Sequence, residues 1–213
     1  MTQRGNGREP VFYSDDDCER FMAQLDHSLE QDRVKLYAYV LMPNHYHLLV
    51  ETPCANIGRF MQRLDTAYGM YFRYRRERPG HCFQGRYGAK LVGGDEYILR
   101  LTRYIHLNPV KTSRWEKESA ARKVDELGKY TWSSYRGYAG MRKPEKRIDY
   151  RWLRLVNGAT DGRRRRAYRR YVERMACEDD REFLGMAQES RYAIGDGRFI
   201  ELAEGEPGDG HVP

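Results

Sequence analysis

The sequence predicts an α+β sandwich with helices packed on an antiparallel sheet, and three observations lead there. The run Val34–Val40 and the stretch Leu41–Val50 are rich in β-branched and aromatic residues, with Pro43-Asn44 as turn chemistry inside them. Amphipathic helical patterns flank this hairpin on both sides. A third helical pattern follows a glycine-punctuated ribbon. Helix, hairpin, helix, strand, helix is an order that lets each apolar helix stripe cover a sheet face.

Taken in order, Thr2 to Arg8 reads as the end of a strand running into a turn. Ser14 and the acidic Asp15, Asp16 and Asp17 offer a cap and a negative first turn for a helix along which Phe21, Leu25, Ser28 and Leu29 share a face. The acidic triplet is helix capping rather than a metal site. After the hairpin, Asn56 to about Arg78 forms a longer helix whose core stripe is Ile57, Phe60, Met61, Leu64, Tyr68, Tyr71 and Phe72, ending before Pro79-Gly80. His81 to Val92, with Phe83, Arg86, Tyr87 and Lys90 around Gly85 and Gly88, is a strand or ribbon. Asp95 can cap the next helix after Gly93-Gly94, and Ile98, Leu101 and Ile105 recur at helical spacing.

Beyond Pro109 the pattern loosens. Trp115–Leu127 reads as a short helix, Trp132–Tyr135 as a packed turn and Ile148–Val156 as another helical piece. Gly158 to Gly162 marks a boundary, dividing the chain into 1–158 and a basic helical C-terminal extension, 159–213. Within the extension, Gly195–Leu202 is the last structured element expected, and Glu204–Pro213 a frayed end.

With 213 residues the chain can bury a substantial core, and its formal net charge of +7 favours a polyanionic partner. Placement says more than the total. Arg73, Arg75, Arg76 and Arg78 cluster beside Tyr71 and Tyr74, while Arg163 to Arg166, Arg169 and Arg170 surround Tyr168 and Tyr171. Guanidinium groups can fork onto phosphates and interleaved tyrosines can stack on unpaired bases; the competing reading of each cluster is a solvated basic helix face. The four cysteines form no CxxC pair and read as reduced thiols. No apolar run approaches a membrane span and no signal peptide is evident, so the expected location is the cytoplasm, near the nucleoid.

The chemistry concentrates in two places. His45 and His47 are one residue apart in a strand, so they face the same way, with Tyr46, Leu48 and Val50 on the other side. Two imidazoles can chelate a metal but do not complete a site. Tyr104 and Asn108 are four apart and sit one turn above each other, presenting a phenol and an amide oxygen together. Pro109 disfavours the helical conformation for Asn108 and places it near the helix end, where a C-cap is the alternative role.

These residues resemble a family. His45-Tyr46-His47 on a strand followed by a helix with Tyr104 and Asn108, together with Thr2-Gln3-Arg4-Gly5-Asn6, Met42-Pro43-Asn44-His45, Tyr104–Pro109 and Trp132-Ser133-Ser134-Tyr135, is similar to the IS200-type single-tyrosine HUH transposases, especially the REP-associated tyrosine transposases. The resemblance implies a ferredoxin-like HUH nuclease fold, with the histidines on a central strand and a first strand longer than the one at the start of this chain. It implies Tyr104 as the nucleophile, His45, His47 and Asn108 as ligands of Mg²⁺ or Mn²⁺, and a 5′-phosphotyrosine intermediate on single-stranded or hairpin DNA of the REP kind. The expected DNA contacts are Arg4, Arg73, Arg75, Arg76, Arg86, Lys90, Arg163, Arg164, Arg165 and Arg166. His106 faces away from Tyr104 and is given a structural or DNA-contacting role. A monomer is favoured over a dimer. The rival readings are a DNA-binding regulator that no longer cuts and a metal hydrolase acting on small molecules.

Overall fold

The computed structural model describes residues 1–77 and 80–205. Strand β1 (Thr2–Arg4), helix α1 (Asp15–Asp32), strands β2 (Lys35–Met42) and β3 (His45–Glu51) and helix α2 (Ile57–Arg76) come first. The strands form an antiparallel sheet in the order β1-β3-β2, with His45 opposite Met42 and Arg4, and His47 opposite Val40 and Thr2. The histidine strand is thus central. Both predicted helices flanking the hairpin are present.

The sheet extends past its named edges. Gln84 N–H donates to the Arg4 carbonyl and Gly88 N–H to the Thr2 carbonyl, so part of the predicted ribbon runs beside β1. On the far side, Leu41 N–H donates to Trp132 O and Ser134 N–H to Tyr39 O. The expected packed turn at Trp132–Tyr135 therefore serves as an edge partner of β2.

Alternation along β3 separates the two faces. Tyr46 and Leu48 are buried among Phe21 and Leu25 of α1 and Phe60, Leu64 and Tyr68 of α2. Phe21 lies 4.7 Å from the Tyr46 ring and 5.3 Å from that of Tyr68, an aromatic centre in which burying each ring contributes about 1.5–3 kcal/mol. The α1 cap does more than close a helix. Asp17 accepts from Tyr13 N–H (2.8 Å), Ser14 N–H (3.2 Å) and the Tyr71 hydroxyl (3.0 Å), and from Arg76, tying α1 to α2. Burial pushes its pKa up, but these donors outweigh it and hold the carboxyl below its ordinary value. Asp32, at the other end of α1, accepts from Arg59 (2.6 Å) and Arg63 (2.9 Å). Helix α2 closes at Glu77 in the left-handed conformation; the expected stop at Pro79 and the role given to Arg78 lie outside the described residues.

The opposite sheet face is covered by α3 (Asp95–Leu107), which follows β4 (Leu91–Val92). Ile105 packs with Tyr37, Ala38, Val40, Met42 and Leu49. Two expectations about this helix are corrected. Gly94, at φ 90°, is the N-cap, so Asp95 is the first helical residue and acts through the helix dipole instead of as a cap. Asn108 keeps helical angles (φ −47°, ψ −42°) despite Pro109, because the chain tightens into a 3₁₀ turn, Asn108–Val110, whose first residues need no intrahelical donor.

The remainder comprises α4 (Ala120–Lys129), α5 (Tyr135–Tyr138), a 3₁₀ turn at Arg151–Leu155, α6 (Asp161–Glu173), α7 (Arg181–Glu189), β5 (Ala193–Ile194) and α8 (Gly197–Gly205). Tyr168, Val172 and Ala176 share one hydrophobic cluster with Leu107, Tyr135 and Tyr138, so α6 packs into the same core as residues before the 158/159 division. Helix α7 and the parallel pairing of β4 with β5 had no counterpart in the sequence reading. Glu204 and Gly205 belong to α8, and the rest of the expected frayed end lies outside the described residues. Among the described residues no helix is long and apolar enough to cross a membrane, and all four cysteines are free.

Candidate active site

Strand alternation sets the site in place. With Tyr46 and Leu48 locked into the α1/α2 core, His45 and His47 must emerge on the α3 side, half-buried, with ring centroids 5.1 Å apart and planes at 89°. His45 Nδ1 is 2.7 Å from the Asn44 side-chain oxygen.

Helix α3 brings the nucleophile candidate to the same spot. The Tyr104 ring centroid is 5.9 Å from that of His47, edge-on, and the residue is 37% exposed. One turn later, the Asn108 Nδ2 donates to the Tyr104 carbonyl at 2.9 Å, which leaves its Oδ1 as the free end of the amide. That carboxamide lies near both His45 and His47, where it pulls each pKa upward. Four residues from two distant elements therefore converge.

Their protonation follows from this packing. Burial, with Arg4 nearby, brings the His45 pKa down to about 4 against a weaker upward pull from Asn108. Burial, then the charges of His45, the chain's amino group and Arg4, bring His47 to about 3. Both rings are neutral at pH 7, with lone pairs available to an electrophile. Burial raises the Tyr104 phenol above its ordinary value and Arg4 pulls it back, so the hydroxyl is protonated at neutral pH.

The model of the family described as "Transposase IS200 like" matches residues 3–108. That span opens in β1 and closes on Asn108, taking in both histidines and Tyr104. The chain belongs to the IS200-like transposase family. Among solved structures, that of a REP-associated tyrosine transposase bound to a REP hairpin is 16% identical, with a TM-score of 0.49 over 70% of this chain and 84% of that one. Comparison with curated proteins returns no match.

Residues beyond the IS200-like span complete the surroundings of Tyr104. Phe183 of α7 lies 6.1 Å from its ring. Asp180, the α7 N-cap, is gripped by Arg100 (2.7 Å and 3.2 Å) and Arg103 of α3, and Lys111 pairs with Asp179 at 2.9 Å. A cleft of about 740 Å³ opens beside Tyr104 and His47, bordered by Arg86, Tyr87, Arg191 and Tyr192. The sequence reading missed Phe183, Asp180, Arg191 and Tyr192. The N-cap aspartate ahead of Phe183-Leu184 was the legible signal for α7; its docking on α3 had none.

The basic residues expected to face DNA divide. Arg4 and Arg86 are exposed near the site, and Arg73, Arg163 and Arg166 are exposed elsewhere. Arg75 is exposed 4.0 Å from Asp16. Three others are corrected because their polar groups are taken up internally. Arg76 is held by Asp17 and stacks 4.4 Å from the Tyr13 ring. Lys90 donates to Ala187 O (2.5 Å) and Ser190 O (2.6 Å). Arg165 is buried, paired with Asp161 at 2.8 Å, bonded to Gly137 O and stacked on Tyr150. Arg164 is half-buried, and its Nε is shut away from water with no hydrogen-bond partner among the described residues. Tyr168 is wholly buried and Tyr171 is stacked against Arg103, so neither is a base-stacking platform. His106 is wholly buried between the Tyr168 hydroxyl (2.7 Å) and Ser134 Oγ (2.8 Å), which leaves it the structural role and removes the DNA-contacting one.

Proposed function

We propose that this protein is a metal-dependent single-stranded DNA endonuclease and strand transferase, acting on hairpin-forming repeats through Tyr104. The observation that carries this is the approach of the Tyr104 ring to within 5.9 Å of His47, itself 5.1 Å from His45. A phenol beside two neutral imidazoles and an amide oxygen suits phosphoryl transfer, and the family membership supports DNA as its substrate.

The donor set fits a divalent cation such as Mg²⁺ or Mn²⁺. Among the described residues no group of three His, Cys, Asp or Glu is gathered, so a cation at His45 and His47 takes its third protein donor from Asn108. When bound, the ion supplies Lewis-acid neutralisation of a phosphate oxygen. The protein's own residues do the rest. His47 and Phe183 both lie against the Tyr104 ring, which limits its motion before substrate arrives. Arg4 offers positive charge to the phosphate and lowers the cost of forming the phenolate, about 4 kcal/mol at pH 7 for an ordinary tyrosine. Tyr104 Oη bonds to phosphorus as the bond to the 3′-oxygen breaks; the phenolic proton passes to water, and the leaving 3′-oxygen takes a proton from water to become a hydroxyl. One phosphate ester replaces another, so the joined state stores the energy for rejoining. The cleft bordered by Arg86, Tyr87, Arg191 and Tyr192 suits an unpaired strand, which arginine and tyrosine bind by charge and stacking. A monomer holds every residue of this set.

The test is to incubate end-labelled hairpin oligonucleotide with protein and Mn²⁺ and look for an adduct that survives denaturation. Wild type forms it, and Tyr104→Phe binds the hairpin but forms none. Binding without any adduct in wild type would favour a regulator that no longer cuts.

A further inference from the structure

We propose that Asn44 is a positioning residue which locks His45 in its Nδ1–H tautomer and so frees the Nε2 lone pair for the cation; this rests on the metal-binding reading above. By sequence, Asn44 reads as a turn residue of the hairpin and part of the Met42–His45 motif. In the structure both ends of its side chain are engaged. Its Nδ2 donates to the Arg8 carbonyl at 3.1 Å, and its main-chain carbonyl accepts from Gly5 N–H at 2.8 Å. The Arg8 carbonyl accepts only, so the nitrogen end of the amide belongs there and Oδ1 must face His45 Nδ1, 2.7 Å away. An amide oxygen cannot donate. Nδ1 therefore carries the proton, and in a neutral imidazole that leaves Nε2 unprotonated.

The lock matters because an unconstrained neutral histidine favours the opposite tautomer, with its proton on Nε2. A ligand histidine usually fixes this through an outer hydrogen bond, whose loss costs about 10- to 100-fold in metal affinity. Here the partner is the preceding residue, on the hairpin turn. The loop from Gly5 to Glu9 completes the device: Gly7 (φ 60°) and Arg8 (φ 63°) adopt left-handed angles that turn the Arg8 carbonyl back onto Asn44. His106 contrasts with this, having both ring nitrogens occupied inside the core.

The experiment uses full-length protein with ¹⁵N-labelled histidine. Long-range ¹H–¹⁵N correlation on the metal-free form should show His45 as Nδ1–H in wild type and in Asn44→Asp, which keeps the acceptor oxygen, and as Nε2–H in Asn44→Ala. The His106 signals should stay unchanged in all three, reporting an intact core. Mn²⁺ alone, titrated by electron paramagnetic resonance, should bind about 10- to 100-fold more weakly to Asn44→Ala than to wild type, with Asn44→Asp at least as tight as wild type. An Nε2–H His45 in wild type, or full Mn²⁺ affinity in Asn44→Ala, overturns the proposal. If Asn44→Ala does not fold, wild type and Asn44→Asp still decide the tautomer. If wild type binds no Mn²⁺, the metal half falls with the reading it rests on, and the tautomer result separately decides whether Asn44 orients the ring.

Discussion

Replacing Asp180 by Ala should release helix α7 from helix α3. Asp180 caps α7 by accepting from Phe183 N–H at 3.2 Å, and its carboxylate joins Arg100 and Arg103, whose side chains are 21% and 9% exposed. Loss of the cap costs about 1 kcal/mol. Leaving two largely desolvated guanidinium groups without their carboxylate adds roughly 1–3 kcal/mol, below the full penalty for a buried pair because Arg100 also has Glu182 at 2.8 Å. The sum is about 2–4 kcal/mol. For a chain of this size that is a fall in Tm of roughly 5–15 °C, if unfolding is cooperative. Calorimetry measures the total, and amide exchange locates it: Phe183, Leu184 and the β4/β5 pair should lose protection before the Phe21 core does. Because Phe183 packs on Tyr104, the adduct-forming rate should drop as well. The clamp also has a pH signature. Burial pushes the Asp180 pKa up, but hydrogen bonding from Arg100 and the two arginine charges outweigh it and hold it low. Its contribution is thus complete above the ordinary carboxylate pKa and is lost as pH falls through the lower folded value. An unchanged Tm with unchanged protection in α7 would refute the reasoning.

The other expectations follow from burial and charge. His106→Ala should destabilise the protein by about 3 kcal/mol in urea titrations, since it opens a cavity and orphans the Tyr168 hydroxyl and Ser134 Oγ; a loss under 1 kcal/mol would count against a structural role. His45 and His47, with pKa values of about 4 and about 3, sit below the ordinary 6.5, so the stability linked to them is complete above pH 6.5 and falls away in more acid solution. By the same values, Mn²⁺ affinity should be nearly flat from about pH 8 to about pH 5.5, and a midpoint near 6.5 would show the rings to be ordinary histidines. Arg165→Ala should lower Tm with little change in DNA affinity, whereas the double change Arg163→Ala and Arg166→Ala should leave Tm alone and reduce the salt dependence of hairpin binding by up to about two contacts; the reverse pattern would restore Arg165 to the DNA face.

What could be read in advance followed periodicity. Strand alternation put His45 and His47 on one face because a one-residue shift would have buried imidazoles among Phe21, Leu25 and Phe60. Helical spacing gave the stripes of α1 and α2 almost residue by residue. Long-range docking left no such trace. Nothing in Arg181–Glu189 indicates that it lies against Tyr104, since that placement comes from ion pairs with Arg100 and Arg103, some 80 positions earlier. Charge runs misled for a related reason. An arginine-rich helix alternates faces like any other, so Arg165 and Tyr168 turn inward while Arg163 and Arg166 turn out. Asn44 was legible as a turn residue, but its hold on His45 depends on the Arg8 carbonyl, which only the folded loop brings near.

The most direct test of the account asks whether the paired imidazoles and Tyr104 share one centre in solution. Ring-labelled tyrosine spectra of the metal-free protein, with the Tyr104 signal assigned from Tyr104→Phe, can be followed as substoichiometric Mn²⁺ is added. The Tyr104 signal should broaden first among the 17 tyrosines, and His47→Ala should abolish the effect. A Tyr104 signal that stays sharp while the histidine signals vanish would contradict a shared centre.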